Sequence, residues 1–99
     1  LTTIYIDLKK GVSVNRINTV LNNYYKKEIF VNIAKQDTLL STNDVINTNN
    51  CLISVCKSKK KSKVIILSVI DNLIKGGGGQ AVQNMNIMYN FEESEGLSV

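Results

Sequence analysis

The sequence predicts an α+β domain: a mostly antiparallel mixed sheet with two helices. Three observations predict it. Short runs rich in β-branched and apolar residues recur at Thr2–Leu8, Ile29–Ile33, Cys51–Cys56 and Val64–Ile70. One segment between the first two runs has helical period. The last two runs flank a lysine-rich turn, the pattern of a hairpin, and a glycine run then leads into a second helix. A chain of 99 residues, 43% hydrophobic, suits one modest domain or a piece of one.

The first strand is expected over Thr2–Leu8, with Ile4, Ile6 and Leu8 on one face. Lys9-Lys10-Gly11 turns the chain, and Ser13 is placed to cap a helix. Val14, Ile17, Leu21, Tyr24 and Tyr25 recur at helical spacing and should pack on the sheet. That helix should stop near Lys26-Lys27, where cations suit a C-terminal end. A second strand is expected over Ile29–Ile33. Residues 36–50 read as an irregular loop with room for a short extended piece.

Cys51–Cys56 reads as the third strand. Its two cysteines lie five apart, so they face opposite sides and do not pair; a reduced, cytoplasmic setting fits. Lys57–Lys63 is a basic turn. Val64–Ile70 is almost wholly apolar and is expected to be central and buried on both faces. The acidic tail from Glu92 should be mobile unless it docks.

Gly76–Gly79 would each cost a helix interior roughly 1 kcal/mol relative to Ala. The run is therefore expected at a junction, where backbone approaches something closely and free N–H groups point outward. In the helix that follows, Ala81, Val82, Met85, Met88 and Tyr89 share one face. Gln80, Gln83, Asn84, Asn86 and Asn90 share the other, with Ile87 among them. No charged residue occurs from Gly76 to Phe91. A solvated helix face normally carries charges, so this helix is expected to be covered on more than one side.

At these residues the chain resembles N-acetyl-gamma-glutamyl-phosphate reductase, within the semialdehyde dehydrogenase superfamily. That family ends close to S-V-I-D-N-L-x-K-G-A-x-G-Q-A-x-Q-N-M-N, then a short acidic tail and Gly-Leu. Here Ser68-Val69-Ile70-Asp71-Asn72-Leu73-Ile74-Lys75-Gly76 is followed by Gly77 and Gly78, and then by Gly79-Gln80-Ala81-Val82-Gln83-Asn84-Met85-Asn86. The tail Phe91–Leu97 also fits. Gly79-Gln80-Ala81 argues against the sister aspartate-semialdehyde dehydrogenases. Further upstream, Thr42, Val45, Asn49 and Cys51 match L-P-x-T-K-x-V-x-G-S-N-x-C. The chain departs at Leu40, Asn43 and Asn47, where Pro, Lys and Gly are expected.

The resemblance implies an NADP-dependent oxidoreductase of arginine biosynthesis acting on a small acyl phosphate, in a homo-oligomer. Its catalytic cysteine and histidine lie upstream of anything in this sequence, so no catalytic residue is assigned here. Residues 1–75 are expected to form part of the catalytic and dimerisation domain. Residues 76–99 are expected to pack on a dinucleotide-binding domain absent from this chain, which binds most of the NADP. Asn72, Gly76, Gly79 and Gln80 become the candidate cofactor-binding residues. The sequence begins at Leu1 inside an apolar run, which suggests a missing upstream part, and residues 1–99 alone are expected to be inactive.

Composition excludes several classes. The chain has no histidine, and two cysteines alone do not make a zinc site, so no metal is assigned. No run of about 18 apolar residues offers a membrane span. Lys57–Lys63 carries much of the +4 formal charge. An alternative reading is a small nucleic-acid-binding module using this hairpin. The blander reading is a solvated tip that discourages edge pairing, and no aromatic is interleaved to stack bases.

Overall fold

The computed structural model describes residues 1–99. Its elements are β1 (Thr2–Asp7), α1 (Val14–Tyr25), β2 (Val31–Ile33), β3 (Cys51–Lys57), β4 (Lys63–Ile70) and α2 (Gly79–Met88). The four strands form one sheet in the order β1-β4-β3-β2. β4 pairs antiparallel with β1 and with β3, whereas β2 runs parallel to β3. The α+β class and the mostly antiparallel mixed sheet are therefore as the sequence predicts.

Ser13 caps α1 as expected: its hydroxyl accepts the N–H of Arg16 at 3.1 Å. Gly11 turns the chain before it with φ +83, a conformation that favours glycine. α1 packs on β2 and β3 through half-buried Val14, Ile17, Leu21 and Tyr25. Tyr24 corrects the expectation. It is 76% exposed and stands edge-on to Tyr25, because it lies off the arc that meets the sheet.

The second strand is shorter than Ile29–Ile33. Ile29 is exposed and Phe30 is buried just before the ladder begins. Residues 36–50 contain a 3₁₀ turn at Thr42–Asp44 in place of an extended piece. Asp44 accepts the Ser41 N–H at 2.7 Å, which closes the chain into a turn. Asn47 sits in the left-handed region at φ 61. Asn tolerates that conformation better than most residues, so it can stand where the resemblance expects Gly.

β4 is central, but only Val64 and Val69 along it are buried. Full burial on both faces fails because α1 covers only the β2–β3 side, and α2 leans on the turn before it rather than on the sheet. β1 is exposed along its whole length, with Tyr5 at 72%. The core is small: Leu40, Val45 and Val69 pack with Ala34, Leu52 and Leu67, while Phe30, Val55 and Val64 are buried beside them. The radius of gyration is 15.0 Å, against about 13 Å for a compact chain of 100 residues. The molecule is elongated and leaves apolar surface open.

Candidate functional site

The site is built where β4 ends. The Asp71 carboxylate accepts the N–H groups of Asn47 and Leu73 at 2.9 Å and of Ile74 at 3.3 Å. Those bonds, that of Asn47 foremost, hold its pKa below the ordinary aspartate value. They also tie the loop after the 3₁₀ turn to the start of the glycine segment.

The glycine run lies at a junction, as expected: it joins one wide turn to α2 across a kink. Ile74–Gly78 forms one wide turn with non-helical dihedrals at Gly77, and the Gly79 N–H closes it on the Ile74 carbonyl. Propensity is overridden by close approach. A Cβ on Gly79 would lie 2.5 Å from Asn49 Oδ1 and 2.6 Å from the Ile74 oxygen. A Cβ on Gly76 would meet Asn72 Oδ1 at 2.9 Å. Gly78 has open space on its Cβ side, and Gly77 meets only the Asn72 carbonyl there.

The candidate residues are thus distributed. Asn72 is exposed and lines a cleft of about 360 Å³ with Asn47, Ile70 and Asp71. Gly79 is buried and borders a second cleft of about 350 Å³ with Asn47, Gly78, Val82 and Leu97. The two clefts share Asn47 and Leu73. Gly76 lies against Asn72, and Gln80 donates to Asn84 Oδ1 at 3.1 Å; neither lines a cleft.

The uncharged polar face of α2 is covered, as its lack of charge predicts, while its apolar face is the open one. Gln83 and Asn86 are buried, whereas Met85, Met88 and Tyr89 are 45%, 77% and 67% exposed. The reason is the tail, which docks on the carboxamides. Asn86 Nδ2 donates to the carbonyls of Glu93 and Glu95 at 3.0 and 2.9 Å. Gln83 Nε2 donates to Glu93 Oε1 at 2.8 Å. The Asn49 N–H donates to the Ser98 carbonyl at 2.8 Å. Gln83 Oε1 in turn accepts Lys75 Nζ at 2.6 Å and Asn49 Nδ2 at 2.9 Å. Lys75 also lies 5.4 Å from the centre of the Phe30 ring, a cation–π distance.

Sequence reasoning missed Asn49, Lys75 and Glu93 as members of one cluster. The signal present was the spacing of Gln83 and Asn86, three apart on a helix that carries no charge.

The lysine hairpin lies apart from this site. Lys57, Lys60, Lys61 and Lys63 border a groove of about 490 Å³ against the start of α1, and no aromatic lines it. Lys63 is paired with Asp7 at 2.5 Å. Cys51 and Cys56 are both free thiols. Cys51 Sγ lies 3.5 Å from Ser68 Oγ, and buried Cys56 lies against the Thr38 carbonyl. No helix is long and apolar enough to cross a membrane.

Comparison with known proteins agrees with this architecture. Three similar curated proteins are each named N-acetyl-gamma-glutamyl-phosphate reductase. That of Clostridium botulinum (strain Alaska E43 / Type E3) is 41% identical over 99 residues, 100% of this chain and 29% of its own length. That of Pelobacter propionicus is 46% identical over 98 residues, 99% of this chain and 28% of its own. That of Karelsulcia muelleri is 46% identical over 99 residues, 100% of this chain and 29% of its own. The chain therefore spans less than a third of the length of these relatives. The family model for the semialdehyde dehydrogenase dimerisation domain matches residues 1–72, which hold the whole sheet and α1, and the chain belongs to that family.

Proposed function

We propose that this chain supplies the C-terminal part of an N-acetyl-gamma-glutamyl-phosphate reductase. In this reading it serves an NADPH-dependent oxidoreductase of arginine biosynthesis that converts N-acetyl-glutamyl 5-phosphate to the semialdehyde with release of phosphate. The observation that carries it is likeness along the whole of this chain, 41% identity over all 99 residues, to 29% of a protein of that name.

The residues present fit the edge of a nicotinamide. The backbone of Gly77 and Gly78 is bare on its open side. Asn72 and Gln80 offer uncharged donors and acceptors at either end of the run. A neutral carboxamide suits such a surface better than a phosphate. The dinucleotide, when bound, supplies the hydride. Asn72, Gly76 and Gln80 orient its edge, and Gly79 lets the turn close on Asn49.

In the same reading, most of the dinucleotide site and the catalytic cysteine and histidine lie outside residues 1–99. The exposed Met85–Met88–Tyr89 side of α2 packs on that missing domain, and the dimerisation domain joins two copies. The two free thiols suit a reducing cytoplasm.

The test is a steady-state assay of the full-length enzyme with NADPH and N-acetyl-glutamyl 5-phosphate. One phosphate should appear per NADPH oxidised, and Asn72→Ala or Gln80→Ala should raise the KM for NADPH. Reduction of aspartyl phosphate in its place would overturn the reading.

A further inference from the structure

Gln83 is 8% exposed and makes three side-chain hydrogen bonds to three different segments. Its orientation is forced by chemistry. The Lys75 ammonium only donates, so it must meet Oε1. The Glu93 carboxylate only accepts, so it must meet Nε2. Because Oε1 is the acceptor, Asn49 must present Nδ2 to it, and Asn49 Oδ1 is left facing Gly79. That oxygen is buried and has no donor, and it is the atom a Cβ at Gly79 would strike. One carboxamide therefore grips both ends of the glycine run: through Lys75 next to Gly76, and through Asn49 over Gly79. It also grips the tail through Glu93.

We infer that Gln83 is a positioning residue: its carboxamide straps the tail to the fold and sets the Gly76–Gly79 turn, and so presets the dinucleotide edge. The strap rests on geometry alone; its effect on the dinucleotide rests on the function proposed above. No other side chain of this size both accepts from a lysine and donates to a carboxylate at opposite ends. A carboxylate at position 83 would keep Lys75 and Asn49 but face Glu93 with two acceptors and like charge. A carboxamide at position 93 would still accept from Gln83.

The pattern expected from three variants of the full-length enzyme is therefore asymmetric. Glu93→Gln keeps the bond but loses its charge assistance, so its effect should be clearly smaller than that of Gln83→Glu. Gln83→Glu should speed amide exchange at Asn49, Glu95 and Leu97 about tenfold or more, the scale of one charge-assisted hydrogen bond. It should also raise the KM for NADPH while kcat holds, because binding is lost equally in ground and transition states. The double variant Gln83→Glu/Glu93→Gln restores every donor to an acceptor and should return both readouts to near wild type. It also keeps the inference testable should Gln83→Glu alone fail to fold.

If the double variant exchanges as fast as Gln83→Glu, or Glu93→Gln is as damaging, the strap is wrong. If exchange follows the pattern and KM does not, the positioning role is wrong. If the wild-type enzyme uses no dinucleotide at all, the proposed function has failed, and the exchange pattern still judges the strap.

Discussion

Two neighbouring glycines separate space from propensity. Gly79 admits no Cβ, since Asn49 Oδ1 and the Ile74 carbonyl fill its place at 2.5 and 2.6 Å. Gly78 has helical dihedrals (φ −59, ψ −34) and nothing within 4 Å. Gly79→Ala should therefore destabilise the full-length protein by about 1–3 kcal/mol, the usual scale of overpacking. Gly78→Ala should stabilise it by about 0.4–1 kcal/mol by restricting the unfolded chain. Urea midpoints that moved in the same direction for both would refute this account.

Asp71 makes a second prediction at this scale. Its folded pKa is lowered, chiefly by the Asn47 N–H. Its stabilisation is thus complete above the ordinary aspartate value and is lost as pH falls through the lower, folded value. Asp71→Asn removes that dependence. Its stability should fall less steeply than wild type on acidification below the ordinary carboxylate range, as read from urea midpoints at several pH values.

Among the elements, α1 stands or falls on one cap. It buries no residue fully and has no acidic side chain in its first turn. The Ser13 side chain satisfies one of its free first-turn N–H groups, that of Arg16. Ser13→Ala should cost about 1 kcal/mol, read as a lowered urea midpoint, and Ser13→Asp should hold stability near wild type.

α1, β3 and β4 were legible in the sequence because their periods and caps are local. α2 was legible as a helix, and its lack of charge as a sign that the carboxamide face is covered; the segment that covers it was not. Hydropathy would put Met85 and Met88 inward and the carboxamides out. The tail reverses that, because its carbonyls and Glu93 need buried donors, and Gln83 and Asn86 supply them. No local pattern encodes a partner ten residues downstream. Asn49 escaped for the same reason: its partner Gln83 is 34 residues away.

At the scale of the whole molecule, the surface left open and the chemistry left out point the same way. Tyr5, Met88, Tyr89 and Phe91 are all more than half exposed. Together with a radius of gyration above the compact value, they leave apolar surface open to a partner surface. Displacement of phosphate from an acyl phosphate by a thiol, which gives the thioester that hydride then reduces, needs an accessible, activated sulfur and a group to carry protons. Cys56 is buried against a carbonyl, Cys51 faces the Ser68 hydroxyl, and the chain contains no imidazole. Neither sulfur lies on the glycine turn where the dinucleotide edge is proposed. Residues 1–99 prepared alone should therefore show no NADPH oxidation with N-acetyl-glutamyl 5-phosphate, even at concentrations at which the full-length enzyme turns over readily. They should bind a hydrophobic dye such as ANS more strongly than the full-length enzyme does, because in the proposed reading the open sides of α2 and β1 are covered there. Measurable reductase activity from the purified 99-residue chain would mean that Cys51 or Cys56 can act without a histidine, and the division of labour proposed here would have to be abandoned.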